Sequence, residues 1–190
     1  MLQQPPSNPE YNERWGAGTK GIYGTFPIYL GPGANYMKII EAEEKHVPEI
    51  VGLWVDLMNF HKELNQFHIL RDGAEIHWEK YLRKCMESET DKIFIATDEN
   101  GVIGYIIVRI KEYPPLFRLD YFGFISDMYV DSGHRRNGIG EKLLDKAYEW
   151  FDSHKIERVE LRVEPKNEIG YSFWRKHGYE EHVRVLSLDK

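Results

Sequence analysis

The segment Arg135-Arg136-Asn137-Gly138-Ile139-Gly140 sets two guanidinium groups beside two glycines. It follows a β-rich run ending at Val130 and opens an amphipathic helical pattern. That order builds a concave anion site. The first amides of a helix lack intrahelical acceptors and lie at the positive end of its dipole. Glycines at that point let a pyrophosphate reach those amides. Arg135 and Arg136 add fixed positive charge with bidentate donors, and Lys142 lies within the first helical turns. The plain alternative is a Gly-rich turn that merely joins strand to helix. Spacing removes two other phosphate loops. After Gly133 and Gly138 a nucleoside-triphosphate loop needs Lys and then Ser or Thr, where Ile139 and Gly140 stand; a dinucleotide turn needs Gly where Leu143 stands.

Hydrophobic periodicity predicts the elements that hold this turn. The compact domain is expected over 37–190, starting with a short strand at Lys38-Ile39-Ile40. Pro48 suits a first helical turn, and Ile50, Trp54, Leu57, Met58 and His61 follow at helical spacing. Ile76, Trp78, Leu82, Cys85 and Met86 predict a second helix. Strands are expected from Lys92 to Thr97 and from Val102 to Ile110, joined by the turn signal Asp98-Glu99-Asn100-Gly101. A loop at Tyr113-Pro114-Pro115-Leu116 precedes a strand from Phe122 to Val130. A helix from Asn137 to His154 buries Ile139, Leu143, Leu144, Ala147 and Phe151 on one face. Glu157 to Val163 alternates as a strand, Asn167 to His177 reads as a helix stopped by Gly178, and Tyr179 to Leu188 as a last strand. The expected class is α/β, a mixed sheet whose first half is antiparallel and whose second half is a β-α-β unit.

Residues 1–36 have a different texture, rich in Gly, Pro, Asn and Tyr without a sustained period. Gly16-Ala17-Gly18-Thr19-Lys20-Gly21 has dinucleotide-fingerprint spacing but lacks the strand before it and the helix after it. An irregular arm is expected, with Trp15, Tyr23, Phe26 and Tyr29 packing onto the domain or a neighbouring subunit, which is compatible with a homodimer. A net charge of -6 without a dense basic stripe argues against a nucleic-acid partner. The acidic surface leans toward cationic substrates such as amines. The single Cys85 fits a reducing compartment, and no apolar run approaches the roughly 18 residues of a membrane span. A cytoplasmic protein without a membrane partner is expected. His61, His68 and His77 have no metal-site spacing, so no metal is expected.

From Met37 to Lys190 the chain resembles the GNAT superfamily, the GCN5-related N-acetyltransferases. Arg135 to Gly140 fits the family's R/Q-x-x-G-x-G/A coenzyme motif, and Asp127-Met128-Tyr129-Val130 fits the strand before it. Asn167 followed by Phe173-Trp174-Arg175-Lys176-His177-Gly178-Tyr179 fits the C-terminal segment. The resemblance implies the acyl-CoA N-acyltransferase fold, with two neighbouring strands splayed around the coenzyme. It implies acetyl-CoA as co-substrate and direct attack, in a ternary complex, by a primary amine of a small molecule or protein. The backbone of Arg136, Asn137, Gly138, Ile139 and Gly140, with Arg135 beside it, would hold the pyrophosphate. Met128, Tyr129 and Val130 would pair with the pantetheine arm, which Asn167 would also contact.

The family usually carries a base on the strand before the motif, at positions that here read Phe124 and Ser126. Asp127 is the nearest acid and the candidate base. Strand alternation points it away from Ser126, and a bulge would re-aim it. The tyrosine that usually protonates the leaving thiolate is replaced by Trp174. Tyr171, one helical turn earlier, is the candidate acid. Alternatively Ser172 or water serves, because a thiol of pKa ~8.5 already leaves tolerably. These departures keep open a non-catalytic CoA-binding sensor and a purely structural interaction domain.

Overall fold

The computed structural model describes residues 37–65 and 69–188. Its elements are β1 (Lys38–Glu41), α1 (Val47–Leu64), α2 (Ala74–Met86), β2 (Asp91–Asp98), β3 (Gly101–Glu112), β4 (Tyr121–Val130), α3 (Ile139–Ser153), β5 (Val159–Leu161) and α4 (Glu168–Lys176). A five-stranded sheet runs in the order β1-β2-β3-β4-β5. Its first three pairings are antiparallel, and β4 pairs with β5 in parallel through the α3 crossover.

β3 lies at the centre, and Tyr105, Ile106, Ile107 and Val108 are all fully buried. A strand covered on both faces needs this continuous apolar run rather than alternation. One face of the sheet packs against α1 and α2 through Val47, Ile50, Leu53, Trp54, Leu57 and Leu82. The other packs against α3, whose Ile139, Leu143, Leu144, Ala147 and Phe151 form the expected stripe.

The last part of the chain corrects two expectations. The strand anticipated over Glu157 to Val163 is formed only by Val159–Leu161. The strand anticipated from Tyr179 to Leu188 is absent: the segment is irregular, with Val183 74% and Leu186 92% exposed. Alternation supplies a face but not a ladder, and β5 offers only three residues of edge to pair with. The glycine-spaced segment of residues 16–21, the aromatic arm and His68 lie outside the described residues.

Candidate active site

β4 and β5 are paired from Gly123↔Val159 to Ile125↔Leu161 and then part. From Asp127 to Val130, β4 pairs with β3 alone among the described residues, which leaves its other edge without a strand partner there. The chain leaves β4 through a 3-10 turn at Ser132–His134 and enters α3 beside the end of β4, where Gly140 meets Met128. Asp131 caps the turn, accepting from the Gly133 amide at 3.0 Å and from His134 Nδ1 at 2.7 Å. The His134 contact is the main cause holding the Asp131 carboxyl below its usual range. His134 Nε2 stands 3.5 Å from the buried Asp98 carboxylate, which ties the turn to the β2–β3 hairpin.

Gly138 is the N-cap of α3 with φ +74, and a Cβ built on it would meet no atom within 4 Å. The conformation favours glycine, and the space in front of it is open. Arg136 is also left-handed, at φ 66, so the chain turns sharply just before the helix. Gly140 serves a different purpose. A Cβ there would stand 3.1 Å from Met128 Cε and 3.3 Å from Phe173 Cε2. The end of β4, the first turn of α3 and α4 therefore converge on this one glycine. Arg135 folds back instead of projecting forward: its Nε donates to the Val130 carbonyl at 2.9 Å, and its guanidinium lies 5.1 Å over the Tyr129 ring.

A bulge decides where Asp127 points. Ile107 faces Asp127 and Val108 faces Ile125, which leaves Ser126 as the extra residue of β4. Simple alternation would put Asp127 on the same face as Ile125, against α3. The bulge turns it to the α1/α2 face, with Ile107 and Tyr129. Burial there pushes the Asp127 carboxyl up to about 7, partly offset by the Met128 amide and the Tyr105 hydroxyl. Tyr105 is fully buried and its hydroxyl meets no partner at hydrogen-bond geometry, so its hold on Asp127 is weak.

Next to the bulge lies a polar chain. Arg109 grips Asp91 through Nε–Oδ1 at 2.7 Å and Nη2–Oδ2 at 3.2 Å, and its Nη1 donates to the Tyr81 hydroxyl at 3.3 Å. The Tyr81 hydroxyl also lies against Ser126, and burial above all pushes it up to about 12. It therefore keeps its proton at neutral pH.

A sequence profile described as the acetyltransferase (GNAT) family matches residues 54–179, more than half of the chain. The chain belongs to this family. It is 28% identical over 93 residues to N-alpha-acetyltransferase 30 of Homo sapiens, covering 49% of this chain and 25% of that one. It is 25% identical over 101 residues to an uncharacterized N-acetyltransferase of Methanocaldococcus jannaschii, covering 53% of this chain and 44% of that one. The chain thus matches less than half the length of these curated relatives. In fold it is similar to a tetramutant protein of Bacillus halodurans, with TM-score 0.72, 20% identity, and coverage of 80% and 99% of the two chains. It is likewise similar to an aminoglycoside N-acetyltransferase solved with CoA, with TM-score 0.64, 21% identity, and coverage of 85% and 99%.

In this GNAT fold Met128, at the end of β4, meets Gly140 in the first turn of α3, and the two candidate catalytic residues stand on separate elements. Asp127 lies on the α1/α2 face, whereas α4 packs into the α3-side core through Phe173 and Trp174. Tyr171 stands on α4, 37% exposed. Trp174 packs edge-on against Phe173 at 5.0 Å and Tyr179 at 5.3 Å, so the indole that replaces the family's tyrosine is a packing residue. Asn167 caps α4, its Oδ1 accepting from the Gly170 amide at 2.8 Å. Sequence reasoning passed over Tyr81, Tyr105 and Arg109. The one legible signal among them was Arg109, a cation inside the apolar run of β3.

Proposed function

We propose that this chain transfers an acetyl group from acetyl-CoA to a primary amine of a small molecule or protein, by direct attack in a ternary complex. The observation that carries this reading is the parting of β4 and β5 beside the N-terminus of α3. The open space before Gly138 fits a pyrophosphate, and the edge of β4 that has no strand partner among the described residues fits an extended amide-bearing chain such as pantetheine. The amides of Arg136 to Gly140 would hold the diphosphate, the edge from Met128 to Val130 would align the arm, and Asn167 would flank it. Acetyl-CoA supplies an activated acetyl thioester when bound.

The acceptor arrives as an ammonium. With a pKa near 10.4, about one part in 2,500 is neutral at pH 7, a deficit of roughly 4–5 kcal/mol. Asp127, with its carboxyl near 7, is suited to accept that proton. The leaving thiolate takes a proton from Tyr171, Ser172 or water. The test is a calorimetric titration with acetyl-CoA followed by thiol release against a panel of amines and peptides. Tight binding with release that depends on the added amine is expected. No release across the whole panel would overturn the reading in favour of a CoA sensor, which the packed Trp174 favours.

A further inference from the structure

We propose that Lys111 is a self-acetylation site, its side-chain amine taking the acetyl group from acetyl-CoA bound to the same chain. This rests on the acetyl-transfer reading above. Lys111 stands near the end of β3 and faces Phe122 of β4. Its Nζ, however, lies 3.4 Å from the centre of the Phe124 ring, and Phe124 is the partner of Arg109. The side chain therefore leans along the sheet toward the β4 bulge by one same-face step, about 7 Å. Lys92, Lys146 and Lys176 are held by carboxylates, those of Glu41, Glu149 and Glu141. Lys111 is held by a ring, which keeps its amine against the sheet.

That face is the one that carries Asp127. Ile125 belongs to the α3-side core, so Phe124 before it points the other way, together with Arg109 and Lys111. Arg109 reaches Tyr81 of α2, and Tyr81 lies against Ser126, the residue next to Asp127. A ladder of three rings steadies this wall, with Trp54 on Trp78 at 4.9 Å and Trp78 on Tyr81 at 4.8 Å. The pairing of β4 with β5 stops at Ile125↔Leu161. A pantetheine arm laid along β4 from Val130 to Met128 would bring its thioester to that stop, beside Ser126. The Lys111 amine, on the ring of Phe124, then lies within roughly one same-face step, 7 Å, of the acetyl group.

The surroundings also favour the neutral, nucleophilic amine. Burial above all, then the guanidinium groups of Arg109 and Arg162, hold Lys111 below the ordinary lysine range, and Asp91 and Glu160 partly offset them. In the transfer, neutral Nζ bonds to the acetyl carbonyl carbon, and the C–S bond breaks with its electron pair on sulfur. The proton that nitrogen loses ends on that sulfur as free CoA thiol. The product amide carries no charge, so Arg109 and Arg162 are left as the cations around this position.

For the test, the full chain is cleared of acetyl-lysine with a deacetylase and incubated with isotopically labelled acetyl-CoA, and its peptides are mapped by mass spectrometry. Lys111 should gain acetyl at least about tenfold faster than the exposed Lys80 and Lys155, because its amine is held beside the thioester. The rate should saturate in acetyl-CoA, fall when CoA competes, and stay constant as the chain concentration is varied. Lys111→Arg, which keeps the charge, should remove the fast gain in intact mass. Modification no faster than at Lys80 and Lys155, or at a rate that rises with chain concentration, overturns the proposal. If added amines release thiol while Lys111 stays unmodified, self-acetylation fails and acetyl transfer stands. If Lys111 gains acetyl while no added amine does, self-acetylation holds and the free-amine acceptor reading fails. Without acetyl-CoA binding, both fall.

Discussion

The two faces of the sheet are built from different chemistry. On the α3 face, Phe94, Ile106, Val108 and Ile125 meet Leu143, Leu144, Ala147 and Phe151, a core that among the described residues is apolar apart from the Tyr148–Tyr179 hydroxyl pair at its margin. That core holds a helix N-terminus in place, and the binding groups proposed there are peptide amides. On the α1/α2 face, Tyr105, Tyr129, Arg109, Asp91 and Asp127 lie beneath or beside three stacked aromatic rings. There the proposed chemistry lies in the side chains themselves, and burial shifts the Asp127 carboxyl upward. A site of amides tolerates side-chain change as long as the backbone can turn. A site of buried polar groups fails one atom at a time.

The largest expected effect breaks the second face. Asp127→Asn removes the proposed base while keeping its shape. Amine-dependent kcat/KM should fall by roughly 10²–10⁴-fold, with acetyl-CoA affinity unchanged. In the parent the rate should rise with pH through a midpoint of about 7, and that limb should vanish in the variant. Stability should move the other way. The folded Asp127 carboxyl lies above its unfolded value, so the native state binds the extra proton and loses stability as pH rises from about 4 to 7. Asn escapes that penalty. Denaturant unfolding at pH 8 should show a gain with a ceiling of about 4 kcal/mol, shrinking to nothing near pH 4. A loss of stability at pH 8 would mean that the carboxylate is paired, not merely buried.

The amide face should break at one glycine. Gly138→Asp places a carboxylate where the diphosphate is proposed to sit, in a left-handed residue. Two like charges about 4 Å apart near a protein surface repel by up to ~4 kcal/mol, so acetyl-CoA affinity should drop by about thirty- to a thousandfold. Calorimetry on the folded variant reads this, and unchanged affinity would move the pyrophosphate elsewhere.

The contrast between the faces also explains what the sequence made legible. The turn at Arg135 to Gly140 could be read because glycine spacing at a helix start is a local property. The helices could be read because the stripes of α1 and α3 repeat every turn. Asp127 was visible only as an acid on a strand; its direction depends on a pairing shift against β3, and registers are not written in one strand alone. The ring ladder needed Trp54 and Trp78, from separate helices, to meet at 4.9 Å. The segment after Tyr179 misled because its alternation matches a strand that has no edge to join. Trp174 was read as a missing acid, and its packing against Phe173 and Tyr179 gives it a structural role instead.

The finest test concerns Tyr105, the deepest polar group of the α1/α2 face. Its hydroxyl lowers the Asp127 carboxyl, yet it meets no partner at hydrogen-bond geometry. Tyr105→Phe removes that influence, so the midpoint of the pH–rate profile should move upward from about 7. Activity at pH 8.5, where Asp127 is ionised in both forms, should change less than twofold. Because an unsatisfied buried hydroxyl is also removed, stability should hold or rise by up to about 1 kcal/mol. An acidic shift, or a stability loss well beyond 1 kcal/mol, would show that Tyr105 donates a full hydrogen bond to a partner within this face. The carboxyl of Asp127 would then be tuned by a specific contact as much as by burial.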